Sequence, residues 1–206
     1  MKKRISDLKK RFVIGIVGGI ACGKSTVSNY LKEKGAKIID ADKIAHKIIE
    51  QPNILLLLKE RWEKDFPEMF NLSGKDFRKA VAKIVFNDYQ ELKFLEDTLY
   101  KPIEGEVGTL LCRDNLHNII VLDVPLLFEA GLDRFCDQVW FIYMKEKDRF
   151  KNFCKRYPDD IKDVGIDFTR REERQVSWEI KRGLANFILR NRINHWDKTQ
   201  EQIDKQ

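Results

Sequence analysis

The chain has 206 residues, 43% of them hydrophobic and 35% charged, which excludes a disordered chain and fits one α/β domain with a core and a small insertion. Its cysteines, Cys22, Cys112, Cys136 and Cys154, show no C-x-x-C or metal-ligand spacing, so a dense disulfide scaffold is excluded and free thiols in a reducing cytosol are implied. The net charge of +6 suits nucleic acid or a polyanionic small molecule and does not choose between them; no RNA-binding signature or zinc-finger spacing accompanies it.

Basic residues in Met1–Arg11 precede the apolar run Phe12–Cys22, an order that resembles a lipoprotein signal. Glycines at 15, 18 and 19 interrupt that run, Gly19 stands where such a signal prefers Leu, and Gly-Lys-Ser follows at once, so the signal reading is rejected. No segment is long and apolar enough to span a bilayer. Residues 11–17 read instead as a buried parallel strand with a glycine turn after it. Residues 24–34 read as a helix with Val27, Tyr30 and Leu31 on one face and Gly35 as its stop. Residues 37–40 form a second short strand, and 41–49 return to helical spacing. This alternation predicts a parallel sheet with right-handed crossovers.

Between 50 and 117 no strand is evident; helical spacing recurs at 54–62, 76–86, 91–99 and 103–112, with Ser73 as a candidate N-cap. Strands return at 118–123 and 138–143. Residues 145–169 are dense in charge and broken by Tyr157-Pro-Asp-Asp160, which fits solvated helix or a closing lid. Residues 170–184 read as helix, 187–189 as a last strand, and the tail from Asn194 as helix. The chain thus divides into a core (about 11–49, 118–144 and 185–206), a helical insertion (about 50–117) and a lid (about 145–184).

Gly18-Gly-Ile-Ala-Cys-Gly-Lys-Ser25 matches G-x-x-x-x-G-K-[ST] between a predicted strand and a predicted helix. Glycines let backbone N–H groups curl around phosphate oxygens, and the helix start adds partial positive charge. Lys24 can reach the β- and γ-phosphates, and the Ser25 hydroxyl can enter a Mg²⁺ shell, because that ion keeps waters and takes few protein ligands. The loop is shared by GTPases, ATPases and kinases. Asp40-Ala-Asp42 closes the second strand, where α/β sheets place ligands. Either carboxylate could orient an acceptor hydroxyl, or both could cap the next helix.

Three blocks in order, Gly18–Thr26, Ile39-Asp-Ala-Asp-Lys-Ile-Ala45 and Asp123-Val-Pro-Leu-Leu-Phe-Glu129, resemble the dephospho-coenzyme A kinase family. Weaker similarity continues at Ile84–Asp88, at Leu95-Glu96, at Arg171 and Gln175 (an R-x-x-x-Q lid pattern), and at Ala185 and Asn191. The resemblance implies a P-loop NTPase-type three-layer α/β/α fold with a parallel sheet, a helical substrate-binding insertion and a lid. It implies transfer of the γ-phosphoryl of ATP, with Mg²⁺, to the ribose 3′-hydroxyl of dephospho-coenzyme A, the last step of coenzyme A synthesis. Asp42 takes the role of catalytic base beside Lys24. Gly18, Gly19, Ala21, Cys22, Gly23, Lys24, Ser25, Thr26, Arg156 and Asn191 are implied to bind ATP. Asp42, Lys101, Pro125, Leu126, Leu127, Phe128 and Glu129 are implied to meet the acceptor, and Arg149, Arg171 and Gln175 to belong to the lid. The implied partners are ATP and dephospho-coenzyme A, with no nucleic acid and no membrane, for a cytoplasmic monomer.

Three positions depart from the family pattern. Lys101-Pro102 replaces a usual His-Pro, Asn152 stands at the first of two lid arginines with Arg156 at the second, and Ala185-Asn186 replaces Ala-Asp. Arg149 is a candidate replacement for the lost lid charge. The alternatives are another P-loop kinase acting on a nucleoside, nucleotide or sugar, against which the Asp123–Glu129 block argues, and a low-turnover nucleotide-binding regulatory module.

Overall fold

Alternate residues of β1 (Phe12–Gly18) face opposite layers, and from Val13 onward all are buried. The computed structural model describes residues 11–156, 164–173, 175–192 and 194–206. Around β1 stand β2 (Lys37–Asp40), β3 (Ile119–Asp123), β4 (Gln138–Tyr143) and β5 (Phe187–Arg190), in the sheet order β2-β3-β1-β4-β5. Strand β1 pairs parallel with β3 and with β4, and β4 with β5. Ile14 and Ile16 join Trp140, Ile142 and Leu189 in a core cluster with Val27, Tyr30 and Leu31 of α1 (Lys24–Glu33) and Ile203 of α9 (Trp196–Ile203). On the opposite face Leu127 and Cys136 approach Gly15 so closely that a Cβ there would overlap them. Burial, then the Asp133 and Asp137 carboxylates, push the Cys136 thiol up to about 12, so it is inert at neutral pH.

The contacts divide the chain into two units, one formed by the chain up to Ile39 with Asp114–Gln206, the other by Asp40–Arg113. The second unit is helical: α2 (Ala41–Ile48), α3 (Pro52–Trp62), a 3₁₀ turn (Pro67–Asn71), α4 (Gly74–Asn87) and α5 (Tyr89–Arg113). Trp62 packs edge-on against Phe94 at 5.7 Å and donates its indole N–H to Glu91 at 2.7 Å, so one buried aromatic is satisfied at both ends. Arg61 also grips Glu91 through two bonds of 3.0 and 2.7 Å.

Two expectations differ from the structure. The spacing suggested separate helices at 91–99 and 103–112, but α5 runs unbroken for 25 residues through Pro102. Proline there removes the donor to the Thr98 carbonyl, yet Leu99, Ile103 and Val107 stay buried along one face, and their burial outweighs the lost bond. Residues 170–184 were expected as one helix and instead split into α7 (Val164–Glu173) and α8 (Trp178–Leu184). Ser177 starts α8 by accepting the Ile180 N–H at 3.4 Å. Helix α6 (Glu146–Arg156) leads into this region, and the expected break at Tyr157–Asp160 lies outside the described residues, as do residues 1–10.

Candidate active site

The phosphate loop joins β1 to α1. Ala21 and Gly23 have φ of 57° and 92°, and the alternation curls the chain so that successive N–H groups point inward. Gly23 caps α1 with no side chain bonded to its first N–H groups, which leaves the positive end of the helix facing the loop. Lys24 Nζ bonds the Gly18 carbonyl at 3.3 Å, folding back along the loop, while Ser25 and Thr26 are exposed.

Support comes from below. Asn191, at the end of β5, donates its amide N–H to the Cys22 carbonyl at 2.9 Å, and a Cβ on Gly23 would overlap that amide. One N–H of the amide expected to meet ATP thus shapes the loop. Thr199 of α9 bonds the Asn191 side-chain oxygen at 3.4 Å. Cys22 is 1% exposed and belongs to the core.

Asp123, at the carboxyl end of β3, accepts the Ser28 hydroxyl at 2.7 Å. Ser28 lies one turn beyond Ser25 on the same face of α1, so this carboxylate stands under the loop. Sequence reasoning treated Asp123 only as the start of a motif block. Its signal was a carboxylate directly after the apolar run Ile119–Leu122.

In the segment that follows, Pro125, Leu126 and Phe128 are half-buried, but Leu127 is fully buried beneath β1. Leu127 was expected to line the acceptor site; it is a core residue. Glu129 accepts the Val176 N–H at 2.7 Å and so ties this segment to the start of α8.

Helices α6 to α8 bring charge to the loop. Arg149, 8% exposed, pairs with Glu172, and Glu172 accepts the Ile20 backbone N–H at 2.7 Å. Asn152 donates to the Ala21 carbonyl at 3.3 Å. Arg171 lies over the Phe153 ring at 5.6 Å, and Arg156 is exposed at the end of α6. Gln175 accepts from Lys181 Nζ at 2.6 Å.

Lys181 was not expected at the site. It is 2% exposed; burial pushes its ammonium below the usual lysine range, Glu129 pulls it back, and Lys24 pushes it down further. No sequence pattern separates it from the exposed lysines around it. Lys181→Ala is expected to destabilise the fold by about 2 kcal/mol, because its charged bond to Gln175 is lost together with its attraction to the Glu129 carboxylate. The double variant Lys181→Met, Glu129→Gln should recover most of that loss. Urea unfolding of both variants checks it.

Beside the loop two adjoining cavities share Phe141, Tyr143 and Trp178. The smaller, ≈ 200 Å³, reaches Gly19 and Arg149. The larger, ≈ 840 Å³, runs toward Asn191 and is rimmed by Lys145, Arg182, Arg190 and Arg192. A cavity of ≈ 1140 Å³ within the helical unit is lined by Asp65, Glu68, Asp76, Asp88 and Glu91 against Arg61, Lys79 and Lys83, a balance unsuited to phosphates.

Asp40, Asp42 and Lys101 belong to the helical unit. Asp40 ends β2 and caps α2: its carboxylate accepts the Lys43 N–H at 3.1 Å and pairs with Lys43 Nζ at 2.8 Å. Asp42 is exposed in the first turn of α2, and Lys101 is exposed on α5. The two acids therefore do not alternate along a strand; a helix start separates their roles. Desolvation raises the Asp40 pKa, but the Lys43 side chain and backbone bonds outweigh it and hold the carboxyl below 3.8. A depressed folded pKa makes this contribution present above about 3.8 and lost as pH falls through the folded value. Asp40→Ala is expected to cost about 1 kcal/mol at neutral pH, and less as the pH is lowered through that window. Denaturation midpoints at several pH values check the sign.

Comparison with known proteins shows the family and the fold. The family model described as dephospho-CoA kinase matches residues 12–197. A dephospho-CoA kinase of Fusobacterium nucleatum is 32% identical over 190 residues, covering 92% of this chain and 85% of its own. A solved Thermus thermophilus structure superposes with a TM-score of 0.74 at 26% identity over 95% of both chains. The dephospho-CoA kinase of Campylobacter jejuni superposes with a TM-score of 0.63 at 27% identity over 94% of both. On a family match that takes in the phosphate loop, Asp42, the Asp123–Glu129 segment and Lys181 alike, this chain belongs to the dephospho-CoA kinase family.

Proposed function

We propose that this protein transfers the γ-phosphoryl of ATP to the ribose 3′-hydroxyl of dephospho-coenzyme A. The observation that carries the reading is a phosphate loop with its motif complete and its left-handed turns formed, in a chain whose family match spans residues 12–197. The phosphates lie on the loop N–H groups and Lys24. The base enters the adjoining cavity, where Trp178 and Tyr143 offer aromatic faces and Arg182, Arg190 and Arg192 supply positive charge. Asp42 orients the acceptor hydroxyl. Pro125, Leu126 and Phe128 face the acceptor, and residues 145–184 act as the lid.

The oxygen donors at the loop suit Mg²⁺: the exposed Ser25 hydroxyl and, beneath it, the Asp123 carboxylate now held by Ser28. Ser25 and Asp123 would hold the ion, which would supply neutralising charge for the ATP phosphates. The enzyme works as a cytosolic monomer in this reading, and its four free thiols support a reducing compartment.

ATP consumption with and without dephospho-coenzyme A tests the reading. Consumption that depends on this acceptor, and not on nucleosides or sugars, supports it. ATP binding with no acceptor-dependent turnover makes the chain a regulatory module instead.

A further inference from the structure

Glu172, near the end of α7, places one carboxylate oxygen 2.7 Å from the Ile20 nitrogen and the other against Arg149 Nη1. Arg149 Nη1 also lies 3.5 Å from the Ile20 carbonyl, and its guanidinium sits over the Phe168 ring at 5.5 Å. A Cβ on Gly19 would overlap the Arg149 guanidinium and crowd the Glu172 carboxylate, so the motif glycine is what lets the pair reach the backbone. A guanidinium–carboxylate pair thus occupies a loop whose N–H groups suit anions. A carboxylate offers such N–H groups the same thing a phosphoryl group does: two oxygens sharing negative charge, which a guanidinium can grip in parallel.

Arg149 is the buried cation of α6; Lys147, Lys151, Lys155 and Arg156 are all exposed. Asn152, three residues on and so on the same helix face, reaches the loop as well, but its amide bonds the Ala21 carbonyl and carries no charge. The position on this helix that delivers charge to the loop is therefore 149.

We propose that Arg149 is the lid arginine that contacts the transferring phosphoryl group, and that Glu172 holds its guanidinium on the loop until phosphate oxygens of ATP replace the carboxylate. The proposal rests on the dephospho-coenzyme A kinase reading above. In the transfer, the bond from the γ-phosphorus to the β–γ bridging oxygen breaks and ADP keeps that oxygen. A bond from the same phosphorus to the acceptor hydroxyl oxygen forms, and the hydroxyl proton passes to the Asp42 carboxylate. Arg149 exchanges neither proton nor electron; it neutralises charge gathering on the γ-oxygens. Glu172 competes with ATP for Ile20 and Arg149, which makes it a brake on ATP affinity, felt at the γ-phosphate and not by ADP.

The experiment measures ATP and ADP binding by calorimetry without acceptor, then turnover with dephospho-coenzyme A, for the wild type, Arg149→Gln, Arg149→Lys and Glu172→Gln. Wild-type turnover that does not depend on dephospho-coenzyme A sinks the functional reading; the binding arms judge the proposal independently of it. Glu172→Gln is expected to tighten ATP about tenfold with little change for ADP, as one charge-assisted competitor is removed. Arg149→Gln is expected to weaken ATP relative to ADP and lower kcat on the order of 10²-fold or more. Arg149→Lys, which keeps the charge without the fork, should recover part of that loss. Glu172→Gln leaving ATP unchanged or weaker, or Arg149→Gln weakening ATP and ADP alike with kcat intact, overturns the proposal. If Arg149→Gln does not fold, Arg149→Lys and Glu172→Gln decide by the same readouts.

Discussion

Lys24→Ala is expected to lower kcat by about 10³-fold or more in a protein that remains folded. The ammonium sits at the loop with one bond in hand, to the Gly18 carbonyl at 3.3 Å. That bond is long and replaceable by water, so its loss costs the fold little. In the reaction the same group meets oxygens whose charge grows as the β–γ bond lengthens. An interaction made more strongly in the transition state than in the ground state appears in kcat. Alanine is also a good helix former at the first position of α1, so the helix start survives. Steady-state kinetics beside a thermal unfolding curve check both halves. Near-normal turnover by a folded Lys24→Ala protein would remove the phosphate loop from the chemistry.

Asp42→Asn is expected to reduce kcat by on the order of 10²-fold or more, with ATP affinity nearly unchanged. Phosphoryl transfer through a loose transition state calls for little early proton removal, so the carboxylate mainly orients the hydroxyl and accepts its proton late. Asparagine keeps the shape and loses the acceptor charge. Asp42 lies in the first turn of α2 and is exposed, whereas Asp40 caps that helix. Asp40→Asn should therefore stay near wild type in turnover, since asparagine also caps well. If Asp40→Asn loses turnover and Asp42→Asn does not, the base is misassigned.

How far the sequence speaks follows from how local each cause is. The loop, β2 and β4 were legible because their signals are short: glycines at fixed spacing, then runs of β-branched residues. The Asp40 cap was an open alternative in the sequence, and only backbone geometry closed it. Lys181 and Glu172 were invisible, because nothing near either residue reveals that one is buried beside Glu129 and the other reaches Ile20, 152 positions earlier. Pro102 misled for the opposite reason: a strong local rule yielded to burial along the rest of α5. Leu127 misled because its motif block names a segment, and within the segment one side chain serves the core.

The amide that shapes the phosphate loop comes from Asn191, 169 positions after the carbonyl it holds, and is itself steadied by Thr199. A ribosome therefore finishes the nucleotide motif long before it makes the amide that shapes it. While β5 and α9 are still unsynthesised, the emerging polypeptide carries every residue of the loop but lacks the Asn191–Thr199 part of its underpinning.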